Sequence, residues 1–141
     1  NCMPADAREN HRGFWEPQQA DWIAEQFAQG RRLDLRHLFF AAHVPPFHPE
    51  GYFERFFMFE NGARQFYQWC EEYQLLAGFF GHIHQNLHWR HDNTEVIVMP
   101  SLNWNFQLQY GKPVKTAGGA CRIIHVCENH IHEELIPVVL S

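Results

Sequence analysis

The sequence predicts an α/β domain, and three observations carry that expectation. Residues 37–80 run strand, loop, helix, strand, which is a βαβ unit with parallel strands. Beyond residue 93 the chain turns to β-rich runs separated by polar or glycine-rich stretches, which suggests an antiparallel portion. Aromatic residues make up 16% of the chain, with 13 Phe and 5 Trp, a share that suits thick packing between sheet and helices.

The elements follow in order. Residues 1–15 are polar and irregular. The stretch "EPQQADWIAEQFAQG" reads as a helix with Pro17 in its first turn, Ala20, Ile23, Ala24 and Phe27 on one face, and Gly30 just past its end. "HLFFAAH" is a short apolar run typical of a buried strand. It stops at "HVPPFHPEG", where two prolines forbid further ladder pairing. From Asn61, read as an N-cap, "NGARQFYQWCEEYQ" sets Phe66, Trp69, Cys70 and Tyr73 at helical spacing, with Glu71 and Glu72 on the exposed face. "LLAGFF" is the second buried strand. "TEVIVMP", "ACRIIHV" and "IHEELIPVVL" are later strands, the last two forming a hairpin around "CENH", with "GKPVKTAGGA" as a polar separator.

Composition excludes several functions. At 141 residues the chain is large enough for one domain with a real core, and 45% apolar against 19% charged residues argues against disorder. A net charge of -5 provides no basic field for nucleic acid. No run of about twenty apolar residues is present, so no membrane-spanning helix is expected. Cys2, Cys70, Cys121 and Cys127 include no C-x-x-C pair and read as small core residues, which leaves the compartment open.

The chemistry lies in the histidines, of which there are 11. "LLAGFFGHIHQ" empties a buried strand through Gly81 into His82 and His84, and His43 ends the preceding strand of the same βαβ unit. Ligand sites collect at the carboxyl ends of parallel strands. Neutral imidazole is a good ligand for zinc, iron and manganese. The alternative is a polar loop of solvated imidazoles. Elsewhere, Cys127, His130 and His132 in "CENHIH" read as an exposed hairpin rather than a soft-metal site. His88 and His91 read as a solvated loop, with a substrate cleft as the alternative. Tyr52, Phe53, Asn86 and Trp104 are candidate cleft walls.

"FFGHIHQ" resembles the GHxH signature of the calcineurin-like metallophosphoesterases, and "FFAAHVPPFH" resembles their His-x-Pro-Pro block. The helix "QQADWIAEQF" is similar to the Gln-x-x-Trp-Leu element that precedes them. The resemblance covers essentially all of residues 1–141, as the C-terminal half of such a domain, and implies part of a two-sheet β-sandwich flanked by helices. It implies two divalent or mixed-valence metal ions (Mn, Fe or Zn), with His43 and His82 on one and His84 on the other. A hydroxide bridging the ions would attack a phosphate mono- or diester. His48 and Asn86 would be substrate contacts.

The family's earlier blocks, Asp-x-His, Gly-Asp-x-x-Asp and Gly-Asn-His-Glu/Asp, have no counterpart here. "ENH" at residues 9–11, with Asn10 and His11, lacks the preceding Gly and an incoming strand, and does not supply one. No catalytic residue is therefore expected within this segment, and the upstream half of the same domain is the expected partner. The competing readings are a mononuclear His₃ metal hydrolase complete in itself and a non-catalytic binding domain that keeps the fold.

Overall fold

Pro17 opens the first helix where its fixed φ and missing N–H do no harm, and α1 runs Pro17–Arg32 in a computed structural model that describes residues 12–46, 57–109 and 112–138. Ile23 and Phe27 are buried and Ala20 and Ala24 half-buried, the face that their spacing predicts. Gly30 is not the terminator. It lies inside the helix, and a Cβ there would stand 2.6 Å from Leu38 Cδ2, so the glycine serves close packing on the following segment. Arg31 reaches across to the end of the second helix, donating from Nε to the Tyr73 carbonyl (2.8 Å) and from Nη2 to that of Gln74 (2.8 Å).

β1 (Phe39–Ala41) is short, and Val44, Pro45 and Pro46 behind it are fully buried. The N–H of Met58 donates to the Pro45 carbonyl at 2.9 Å, so the chain returns beside the proline pair. α2 (Glu60–Tyr73) starts one residue before the expected cap. Phe59 is its N-cap, and the Asn61 side-chain Oδ1 accepts the Gly62 N–H at 2.9 Å within the first turn. Phe66, Trp69 and Cys70 are buried as their spacing requires, and Gln74 closes the helix in the left-handed region at φ +50°.

β2 (Ala77–Phe80) lies parallel to β1 with Phe40 opposite Gly78, which establishes the βαβ unit. A Cβ on Gly78 would approach Phe66 Cζ to 2.7 Å, so the missing side chain admits the α2 ring onto the strand. β3 (Leu87–His91) and β4 (Thr94–Val98) form a hairpin through Asp92–Asn93, and the four strands take the order β1-β2-β4-β3 with only β3 antiparallel. β3 corrects the reading of residues 88–91 as loop. Leu87, Trp89 and His91 turn inward while His88 and Arg90 are exposed, a period of two disguised by the histidines. β5 (Trp104–Gln109) and β6 (Lys112–Ala117) pair antiparallel, so "GKPVKTAGGA" is largely strand rather than separator. β7 (Gly119–Val126) and β8 (Ile131–Val138) form the expected hairpin, with the Cys127 N–H donating to the His130 carbonyl at 2.9 Å.

The described chain is thus a mixed α/β assembly of two helices and three small sheets. The core joins α1 and α2 to one face of the four-stranded sheet through Phe27, Phe40, Phe66, Trp69, Phe80, Val96 and Val98. Trp15, in a segment read as polar, packs on this core and donates its indole N–H to the Gly62 carbonyl at 3.0 Å.

The other face carries Phe39 stacked on Phe79, and with Met99, Ile124 and Val126 these line a gap of about 250 Å³ beside β7. His88 ties the sheet to the β7–β8 hairpin, with Nε2 2.7 Å from Glu95 and Nδ1 3.0 Å from Glu133. Glu133 also meets the buried Arg122 guanidinium at 2.5 Å. His88 therefore serves this inter-sheet link, not a cleft. Cys70 is a core residue as expected, whereas Cys121 is on the exposed face of β7 and Cys127, in the turn after it, is half-buried. Among the described residues no helix is long and apolar enough to cross a membrane.

Candidate metal centre

β1 and β2 are adjacent and parallel, so their carboxyl ends deliver His43 and the "GHIHQ" loop to the same edge of the sheet. The backbone continues the pairing past the strands. Ala42 N–H donates to the Phe79 carbonyl and Gly81 N–H to the His43 carbonyl, each at 3.0 Å, which fixes His43 beside the loop. His82 and His84 both adopt left-handed backbone, at φ +69° and +52°, with buried Ile83 between them anchoring the loop. Non-glycine residues held there cost of order 1–3 kcal/mol each and cluster at functional sites.

His43 Nε2 and His82 Nδ1 face one another at 3.1 Å, the two rings nearly perpendicular at 76°. Two nitrogens on one tetrahedral zinc, each about 2.0–2.1 Å from it, stand about 3.3 Å apart. The observed separation fits a shared ion with almost no rearrangement. A single N–H···N hydrogen bond fits the same distance; the ring centroids stand 4.9 Å apart, against 6.0 Å for the cross-strand pair His125 and His132.

His84 does not join that pair. The three histidines do not form a group whose ligand atoms all lie within 4.8 Å; among the described residues such a group is Glu71, His91 and Asp92. The His84 ring instead lies 4.0 Å from that of Trp104 on β5, its Nδ1 buried and without a hydrogen-bond partner among the described residues. Phe106 N–H donates to the His84 carbonyl at 2.9 Å, so β5 holds the loop from its far side. The resulting geometry is one histidine pair with a third imidazole turned to a different neighbour.

Beside His84 opens a cleft of about 1370 Å³, lined by Gln85, Asn86, Trp104, Phe106 and Lys115 among others. The Lys115 ammonium sits 4.3 Å over the Trp104 ring, which places one positive charge and one flat wall at its rim. Gln85 is buried with its side-chain carbonyl oxygen unpartnered among the described residues. Asn86 lines the cleft, but its carbonyl oxygen is taken by the Arg122 guanidinium, which leaves only the amide nitrogen for a ligand.

Of the residues singled out in the sequence, His43 and His82 come together, His84 lies on the same loop, and Asn86 and Trp104 share the adjoining cleft. His48, Tyr52, Phe53, Asn10 and His11 lie outside the described residues. What the sequence did not indicate is the Glu71–His91–Asp92 group. No local pattern joins a helix residue to a hairpin turn twenty positions away.

No family model matches the chain, and no curated protein matches it. Among solved structures, the crystal structure of TT1561 of Thermus thermophilus aligns with a TM-score of 0.46 and 17% identity, covering 74% of this chain and 48% of that one. The chain therefore spans about half the length of that protein. This likeness defines neither family nor function.

Proposed function

We propose that this chain is the histidine-bearing half of a metallophosphoesterase-like domain, with the β7–β8 hairpin and the four-stranded sheet contributing to its two-sheet sandwich. The observation that carries the reading is the 3.1 Å approach of His43 Nε2 to His82 Nδ1 at the ends of two parallel strands. Neutral imidazoles of this kind are good donors for Mn, Fe or Zn. When bound, such ions supply Lewis-acid charge for phosphoryl oxygens and lower the pKa of water.

The protein's own contributions follow from placement. His43 and His82 would share one ion, and His84, facing away, would serve the other. Trp104 shapes the cleft wall, and the Lys115 ammonium offsets part of the negative charge of a phosphate ester. Separation of His84 from the other two disfavours a mononuclear His₃ centre.

Three neutral imidazoles cannot by themselves offset the repulsion between two divalent ions about 3.5–4 Å apart, so an anionic bridge is required. Among the described residues no carboxylate completes a group with His43 and His82. We assign the bridging carboxylate and the catalytic groups to the family's Asp-x-His and Gly-Asp-x-x-Asp blocks, which the sequence of these 141 residues does not contain. The test is hydrolysis of bis(p-nitrophenyl) phosphate and p-nitrophenyl phosphate in manganese or zinc. The 141 residues alone should show no turnover above background, and a chain that also carries Asp-x-His and Gly-Asp-x-x-Asp blocks should show metal-dependent turnover abolished by chelator. Robust turnover by the 141 residues alone would refute the divided site. Inactivity of the longer chain would leave a binding domain.

A further inference from the structure

A second group of metal-ligand side chains stands at the opposite end of the same strands. β2 and β4 run parallel. The carboxyl end of β2 leads into the histidine loop, while α2 and the Asp92–Asn93 turn lie at the amino ends of β2 and β4. About 13 Å of strand, four residues at about 3.3 Å each, separates the two places. Glu71 comes from the last turn of α2, His91 from the end of β3, and Asp92 from the turn itself, held at φ +49°. One ligand atom from each lies within 4.8 Å of the other two.

The spacing is not that of a satisfied hydrogen-bond cluster. His91 Nε2 is 3.7 Å from Glu71 Oε1 and 3.9 Å from Asp92 Oδ2, both beyond hydrogen-bond length. That nitrogen is nonetheless buried and has no hydrogen-bond partner among the described residues. The ring is held in place by Tyr67, whose ring centroid is 4.1 Å away at an interplanar angle of 33°. Donors about 2.1 Å from a common ion are spaced about 3.0–3.4 Å apart, so less than about 1 Å of movement by each exposed carboxylate brings it to ligand spacing from His91 Nε2. A cavity of about 360 Å³ adjoins the group, lined by Cys70, Glu71, Gln74, Asp92 and Asn93, with room for water on the open positions. Cys70 lines the cavity but does not belong to the group of side chains whose ligand atoms lie within 4.8 Å of one another.

We infer that Glu71, His91 and Asp92 bind one divalent transition-metal cation that clamps the end of α2 to the β3–β4 turn. One imidazole and two carboxylates suit Mn²⁺, Co²⁺, Ni²⁺ or Zn²⁺ and not a soft monovalent ion. The site is independent of the histidine pair and of any reading of its function.

The test is zinc content per chain together with melting temperature, with and without zinc, for the protein and for the double variant Glu71→Gln/Asp92→Asn. Both side chains are exposed, so the variant keeps the fold. The protein should hold one zinc more than the variant and gain several degrees of melting temperature that the variant does not. Glu71→Gln alone should weaken zinc binding by about tenfold or more, the lower end of what even outer-shell changes cost. His82→Ala should leave this ion in place. Equal zinc content and an equal shift in the double variant would overturn the inference, as would loss of this ion in His82→Ala.

Discussion

His82→Ala is expected to weaken metal binding at the strand-end site by at least about 100-fold, above the 10–100-fold that removal of outer-shell partners costs. The reason is geometric. His43 Nε2 has one imidazole partner at 3.1 Å, and without His82 the ion keeps a single protein donor from this pair. The change also has a backbone side, because His82 sits at φ +69° and alanine tolerates that region poorly. His82→Gly separates the two effects. Glycine accepts positive φ freely, so this variant should lose the ion as fully as alanine while keeping or raising the melting temperature of the metal-free protein. The check is metal titration of both variants beside thermal unfolding in chelator. Retained affinity in either variant would show that the 3.1 Å approach is only a hydrogen bond.

Trp69→Ala should cost about 3–5 kcal/mol of folding stability, a large part of the 5–15 kcal/mol that holds a typical domain together. Trp69 is 2% exposed and joins both helices to the sheet. Its ring lies 5.7 Å from Trp15, 6.2 Å from Phe27 and 6.0 Å from Phe40, so its removal opens a cavity bounded by three aromatic rings on three different segments. Phe40 is itself locked by Phe66 and Phe80 and Phe27 by Tyr73, which leaves little room for collapse. Denaturant unfolding followed by circular dichroism should show a lower midpoint at unchanged slope. A loss below about 1 kcal/mol would mean that the aromatic cluster is not the core that positions β1 and β2, and hence His43 and the histidine loop.

Much of this arrangement was legible in the sequence, and the exceptions have physical causes. α1, α2, β1 and β2 announce themselves because helical spacing at Phe66, Trp69 and Cys70 and short apolar runs at 38–42 and 75–80 leave few alternatives. Knowing that β1 and β2 are parallel places His43 and His82 at one edge, a conclusion from topology rather than from composition. β3 was illegible because His88 and His91 made an alternating strand look like a polar loop. β6 was hidden because Lys112, Pro113 and Lys115 mask the alternation of a strand in a two-stranded sheet. Gly30 illustrates a different limit. Near the end of a helical pattern a glycine reads as a terminator, but here Leu38, eight residues on, requires it. Asn61 likewise has the chemistry of a cap and spends it one residue inside the helix. The Glu71–His91–Asp92 group depends on a helix end meeting a hairpin turn, which only the folded chain supplies.

The most direct measurement is long-range ¹H–¹⁵N correlation of the histidine rings as zinc is added, since it reports the state of each ring nitrogen separately. The expected result is that His43 Nε2 and His82 Nδ1 change together, in slow exchange and at the same zinc equivalent, with His84 responding on its own. Zinc binding that leaves those two nitrogens unchanged, with coordination appearing only at other histidines, would contradict the assignment of the strand-end pair as a metal centre.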